Sequence, residues 1–165
     1  MTDEYLDIVN DHDEVVGSAL YEDVYKNMHT HRIVHILIFN TNNELLLQMR
    51  SATKRAHPNH WSTSVGGHVR KGETYAQAAI REAEEELGIT PTITEKYKDT
   101  FINSLGHKKF LTTFLSFDDG STFSIDPEEV ERVEWKSLLE IKEMIERGEP
   151  FHPELVFLLK EHFGI

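Results

Sequence analysis

Five carboxylates fall within the fourteen residues from Glu73 to Glu86, and three of them, Glu84, Glu85 and Glu86, are consecutive. Ala76, Ala79, Ile80, Ala83 and Leu87 recur at helical spacing, with Gly88 as the C-terminal cap. At about 100 degrees per residue, and with Ala76 set at zero, the apolar set lies within about 60 degrees of the origin. Glu82, Glu85 and Glu86 then lie between roughly 180 and 280 degrees, an arc that Glu84 does not share. Glu84 is therefore assigned to solvent. Like charges at this spacing cost about 0.2 to 0.5 kcal/mol per pair, and the negative end of the helix dipole adds about 0.3 to 1 kcal/mol. A hard divalent cation held by oxygen ligands, Mg²⁺ or Mn²⁺, would reverse the sign of that cost and leave coordination sites for a substrate phosphate. Gly66 and Gly67 permit close backbone approach before the helix, and Arg81 is placed to hold the preceding loop by pairing with Glu73.

The elements that must position this helix are legible from periodicity. "EYLDIV" and "EVVGSAL" flank the turn-rich "NDHD" as a small N-terminal hairpin, and Tyr21 to Met28 suits a short helix or an irregular connection. "HRIVHILIFN" and "ELLLQMR" flank "TNN", the strongest hairpin signal of the chain, and the first has the near-continuous apolar run of a strand buried on both faces, interrupted by His35. "SATKRAHPNHWSTSVGG" reads as a loop. Strands are expected at Thr92 to Asp99, Lys108 to Phe117 and "EVERVEW", and helices at Lys136 to Arg147 and Pro153 to Phe163. Strands interleaved with helices predict an α/β fold in which helices sandwich a mixed sheet.

At 165 residues and 39% apolar composition the chain suits one domain with a real core, residues 1–165, of which 1–30 form an N-terminal hairpin extension. Its 29 acidic and 17 basic residues give a formal charge of -12. That charge repels nucleic acid backbones and anionic membranes, while a cation bound at a site leaves a small phosphate-bearing substrate compatible with it. There is no cysteine, so thiolate catalysis and cysteine zinc sites are excluded. With no secretory leader pattern and no long apolar run, a soluble cytoplasmic protein is expected.

Residues 67–89 resemble the Nudix box, G-x5-E-x7-R-E-U-x-E-E-x-G-U with U aliphatic, through Gly67, Glu73, Arg81, Glu82, Glu85, Glu86, Gly88 and Ile89. Ala83 is a small residue at the first U. A frame this long is specific. The resemblance implies an α/β/α sandwich and a hydrolase that cleaves a diphosphate bond, in a nucleoside diphosphate derivative or related small diphosphate, with Mg²⁺ or Mn²⁺. It implies that Glu82, Glu85 and Glu86 are the metal ligands and catalytic residues. Glu73 and Arg81 would support the site together with Gly67 and Gly88. Glu129, six residues before Trp135, resembles a further catalytic carboxylate that the family often takes from a later segment. The resemblance also allows a homodimer.

"HRIVHILIFN", "LLLQMRSATKRAHPNHWSTSVGGH" and "DIVNDHDEVVG" resemble a narrower group, the Nudix proteins related to isopentenyl diphosphate isomerase. An isomerase is thus one alternative, and His31 and His68 look like two of its metal-binding histidines. Its catalytic cysteine would fall at about Gly66, and its paired metal glutamates near "GHKKF", where no carboxylate stands. A non-catalytic nucleotide-binding module is the other alternative, and the intact box argues against it. Substrate contacts are expected from Arg50, Lys54, Arg55, Trp61, His68 and Lys108 to Phe110, with Lys54 and Arg55 on phosphate and Trp61 as a stacking platform.

Overall fold

The computed structural model describes residues 3–165, so Met1 and Thr2 of the N-terminal extension lie outside the described residues. In chain order the elements are β1 (Tyr5–Val9), β2 (Val15–Leu20), α1 (Tyr21–Lys26), β3 (His31–Phe39), β4 (Leu45–Arg50), β5 (Trp61–Ser62) and β6 (Val65–His68). They continue as α2 (Tyr75–Leu87), β7 (Thr94–Ile102), β8 (Lys108–Phe117), β9 (Val130–Lys136), α3 (Leu138–Glu146) and α4 (Pro153–Phe163). Among the described residues no helix is long and apolar enough to cross a membrane.

β3 is the strand around which the sheet is built. It runs parallel to β8 along its whole length, from His31 opposite Lys109 to Phe39 opposite Phe117. On its other edge Ile33 to Ile36 pair antiparallel with His68 to Val65 of β6. Because β8 and β6 occupy both edges, the expected hairpin with β4 closes at one pair only, Phe39 with Leu45. β4 instead pairs with β9 and, at Gln48 and Met49, with β5. The turn at "TNN" is formed, with Asn40 accepting the amide of Asn43, but the two strands splay beyond it. Two short strands, β5 and β6, also lie in the segment that reads as loop. Their shortness and their Ser and Gly content carry little strand pattern, and pairing with β4 and β3 supplies the order.

Alternation along β3 distributes the core between two layers. Val34, Ile36 and Ile38 face α2 and pack with Val65, Ala78, Ala79, Ala83 and Leu87. Leu37 lies in a separate cluster with Trp61, Ile141, Leu155 and Leu159, which brings in α3 and α4. Helices thus cover both faces of a mixed sheet, the architecture that the periodicity predicts. The N-terminal hairpin adds its own sheet of β1 and β2, and it is anchored where the site begins. Leu6 is fully buried, the amide of Lys71 donates to Tyr5 O (2.8 Å), and the amide of Gly72 donates to Asp7 Oδ2 (3.0 Å).

α2 is bounded by local chemistry at both ends. Thr74 and Gln77 cap each other's backbone amides at the start (3.1 and 2.9 Å). Gly88 ends the helix at φ 66°, where an added Cβ would sit 2.9 Å from Ser124 Cβ and 3.0 Å from Ser124 O. A left-handed conformation costs an L-residue roughly 1 to 2 kcal/mol before any contact is counted. Gly88→Ala is therefore expected to lower unfolding stability by at least about 1 kcal/mol, read as a lower urea midpoint at unchanged slope.

Candidate active site

Arg81, on the middle turn of α2, organises the residues around it. Its Nε and Nη2 donate to the two carboxylate oxygens of Glu73 (2.6 and 2.9 Å), and Nη2 also donates to His68 O (2.9 Å). Its Nη1 donates to Glu82 Oε1 (2.8 Å) and Glu85 Oε2 (3.3 Å). One guanidinium thus ties the loop before α2, the end of β6 and two helix carboxylates together. Burial alone would raise the Glu73 carboxyl, but Arg81 and the amide of Arg70 outweigh it and hold it below the usual carboxylate range.

The three glutamates of the arc have different surroundings. Glu86 is 4% exposed, its Oε1 accepting the amide of Gly66 (3.0 Å) and its Oε2 accepting Gln48 Nε2 (2.9 Å). Glu82 lies against Gly67, where a Cβ would come within 2.2 Å of the carboxyl carbon, so only glycine admits this approach. Glu85 is exposed, with Arg70 at 3.7 Å. Burial raises the proton affinity of both Glu82 and Glu86. For Glu86 the nearby Glu82 adds to it; for Glu82 the arginine opposes it and Glu85 adds to it. Glu84 is exposed and points away, accepting only Thr90 Oγ1 (3.1 Å).

A cavity of about 920 Å³ opens beside these residues, within the size range of small-molecule sites. Glu82, Glu85 and Glu129 line it, whereas Glu86 stands behind the wall and touches it through Gly66. Arg50, Lys54, Arg55 and His68 line it as well. Lys54 is paired with Glu129, and Arg55 with Glu22 (3.2 Å). Arg50 donates to the carbonyls of Ala56 and His57 and has no carboxylate partner among the described residues. Trp61 does not reach the cavity, which corrects its assignment as a stacking platform. It is 4% exposed in the cluster beneath α3 and α4, with Nε1 donating to Glu149 (3.1 Å). Its place in β5, next to β4, turns the indole into the core.

The donor set suits a hard cation: all-oxygen carboxylates, of which the half-buried Glu82 shares Arg81 with Glu73 and Glu85 and the buried Glu86 has no basic partner among the described residues, both with raised proton affinity. Among the described residues no three acidic or histidine side chains already converge on one point. Arg81 Nη1 bridges Glu82 and Glu85, so a cation held by both would require side-chain rotation on a helix already in place. The histidines expected from the isomerase likeness do gather, but around a ring. Tyr25 of α1 lies 5.2 Å from His31, 5.6 Å from His68 and 5.3 Å from His107, and its hydroxyl bonds His68 Nε2 at 2.6 Å. Burial pushes His31 down to about 4 and His68 well below its usual value. Burial thus disfavours the charged forms of His31 and His68, and of this aromatic cluster Tyr25 and His68 line the cavity.

The sequence pattern does not single out Tyr25, because its segment has no periodicity strong enough to place it. His35, Lys109 and Glu154 also meet at the cavity. Lys109 lies within the expected contact segment Lys108 to Phe110, His35 stands out as the one polar residue inside an apolar run, and Glu154 left no signal.

A model of the NUDIX domain family matches residues 29–159, and the chain belongs to that family. A Nudix hydrolase of Deinococcus radiodurans is 43% identical over 89 residues, 54% of this chain and 52% of that protein. An isopentenyl-diphosphate Delta-isomerase 2 of Photorhabdus laumondii is 32% identical over 148 residues, 87% of this chain and 82% of that one. Among solved structures, a crystal structure of a Deinococcus radiodurans protein matches with a TM-score of 0.84 at 30% identity, covering 96% of this chain and 98% of that one. The chain spans about half to two thirds of the length of the first curated relatives it matches.

Two outcomes follow from the geometry. Arg81→Lys keeps the charge and loses the fork on Glu73, so divalent-metal affinity measured by calorimetry should fall roughly 10- to 100-fold with the circular dichroism spectrum unchanged. The raised affinities of Glu82 and Glu86 make the native state hold protons that the unfolded state releases. The contribution of these two carboxyls to stability without metal is therefore fully present below the ordinary carboxylate range and is lost as pH rises through about 7 for Glu82 and about 8 for Glu86, while the lowered His31 and His68 contribute in the opposite direction. The thermal midpoint of Glu86→Gln minus that of the native chain isolates the Glu86 part and should rise between about pH 5 and 8, and added Mg²⁺ should reduce that rise.

Proposed function

We propose that the chain is a metal-dependent hydrolase that cleaves a diphosphate bond in a nucleoside diphosphate derivative or a related small diphosphate. The observation that carries this reading is the pair of carboxylates Glu82, half-buried, and Glu86, buried, fixed beside a cavity that also carries Arg50, which has no carboxylate partner among the described residues. The carboxylates are placed to hold Mg²⁺ or Mn²⁺, and the guanidinium to meet an anionic substrate. When bound, such a cation neutralises phosphate oxygens and lowers the pKa of a water that attacks phosphorus.

The chain's own residues supply the rest. Glu82, Glu85 and Glu86 hold the cation, with Glu86 kept in one orientation by Gly66 and Gln48. Arg50 binds a phosphate oxygen with the donors left free by the loop carbonyls. Lys54 and Arg55, each in an exchangeable surface pair, add positive charge at the same cavity. Of the carboxylates that line the cavity, Glu82, Glu85 and Glu129 are the candidates to take the attacking water's proton. His68, uncharged and held by Tyr25, forms wall rather than charge.

The likeness to the Photorhabdus isomerase supports a second reading, isomerisation of an isoprenoid diphosphate. Gly66 stands at the expected position of the catalytic cysteine, and the chain contains none, which places this reading second. Product identification over a panel of diphosphates that includes isopentenyl diphosphate separates the two. Hydrolysis is expected with Mg²⁺ or Mn²⁺ only, and dimethylallyl diphosphate as a product would reject it in favour of isomerisation. Glu86→Gln should cost turnover more than the roughly 10- to 100-fold typical of losing a residue behind the ligands, and full turnover in that variant would remove Glu86 from the metal set.

A further inference from the structure

The cavity reaches beyond the glutamates of α2, to the first turn of α4 on the opposite face of the sheet. There Lys109 of β8 and Glu154 of α4 both line it. Lys109 Nζ donates to Glu154 Oε1 (3.1 Å), with side chains 12% and 5% exposed. His35 Nε2 bonds the other oxygen, Oε2, at 2.9 Å, and its Nδ1 bonds Thr63 Oγ1 at 2.8 Å. Burial opposes ionisation of Glu154, but His35 and Lys109 overcome it and hold the carboxyl well below its usual range.

Removing a cation and an anion from water is costly, and a fold that needs only packing at this point gains nothing from it over apolar side chains. The bonding capacity here is also unspent. Lys109 has three donors and makes one hydrogen bond, and the Glu154 carboxylate has about four acceptor positions, of which His35 and Lys109 take two. The adjoining walls are flat and apolar: Phe101 lines the cavity, and the Tyr25 ring stands 5.3 Å from Lys109 Nζ.

We propose that Lys109 and Glu154 form a specificity subsite for the end of the substrate remote from the diphosphate. The group it takes is uncharged, planar and presents a hydrogen-bond acceptor beside a donor, as the edge of a nucleobase does. A second phosphate would meet the Glu154 charge, and an isoprenoid tail would cover the remaining Lys109 donors and Glu154 acceptor positions without bonding them. This rests on the hydrolase reading for the place of the diphosphate, at the α2 glutamates, and selects nucleoside diphosphates among the substrates that reading allows.

Binding and turnover test it separately. With Mg²⁺ present, calorimetry compares the α,β-methylene analogues of the four common ribonucleoside diphosphates with methylenediphosphonate, which has the same phosphorus groups and no remote end. The native chain should bind at least one nucleotide analogue about tenfold or more tightly than methylenediphosphonate. In Lys109→Met that ratio should fall toward one. Lys109→Arg, which preserves the charge opposite Glu154 and so the fold, should reduce it by a smaller factor because the donors are displaced. A native ratio near one, or a ratio unchanged in either variant, overturns the subsite. In steady-state hydrolysis of the preferred nucleoside diphosphate, the loss in Lys109→Met should fall mainly on KM, and an unmoved KM also overturns it. A native chain that shows the binding ratio without turning over any diphosphate rejects the hydrolase reading and leaves the subsite standing.

Discussion

The hydrogen bonds of one guanidinium hold the candidate active site together. Arg81 reaches backward to Glu73, across to the carbonyl of His68 and along its own helix to Glu82 and Glu85. Loop, strand end and helix therefore cannot move independently. A lysine could neutralise the same charge, but its single nitrogen cannot present the planar fork that grips both oxygens of Glu73. The pairing also has an electrostatic role. Arg81 is the nearest positive charge to a helix end that carries Glu82, Glu85 and Glu86 and has no basic residue in its last turn. Without it that helix end would carry its full like-charge cost.

Glu82 and Glu86 show the price of function in the fold. Glu86 is shielded from water and Glu82 is half-buried at the cavity wall, and burial makes their ionised forms unfavourable. Hydrogen bonds from Gly66 and Gln48 offset part of the cost at Glu86, and Arg81 offsets part at Glu82. The close approach of Glu82 is made possible by a backbone position without a side chain, Gly67. Packing on the other face of α2, by Ala78, Ala79, Ala83 and Leu87 against Val34 and Ile36, supplies the stability that the charged face does not.

What the sequence made legible, and what it hid, divides along physical lines. The helix of the Nudix box, its Gly88 cap, the Glu73 to Arg81 brace and the outward Glu84 could all be read, because each depends on spacing along one helix and the short loop that leads into it. β8 and α4 were readable to the residue for the same reason, strong local periodicity. The splaying of β3 from β4 was not, because it is decided by β8 and β6, strands distant in the chain, competing for the edges of β3. Trp61 was ambiguous for a related cause: an indole in a loop-like segment has no periodic neighbours to say which face it takes. The meeting of His35, Lys109 and Glu154 joins three elements. Glu154, following Pro153, has in sequence only the look of an ordinary first-turn acid.

β3 carries two jobs on one alternation. Its odd positions place His31, Ile33, His35 and Leu37 on one face, and its even positions place Val34, Ile36 and Ile38 on the other. A slip of one residue would therefore exchange a histidine for a valine on the face where Glu154 waits, and push Arg32 toward buried surroundings. The strand tolerates change of side-chain type far better than change of length. A single codon lost or gained within β3 would displace both layers of the core at once, which makes this strand the reading frame of the fold as well as its centre.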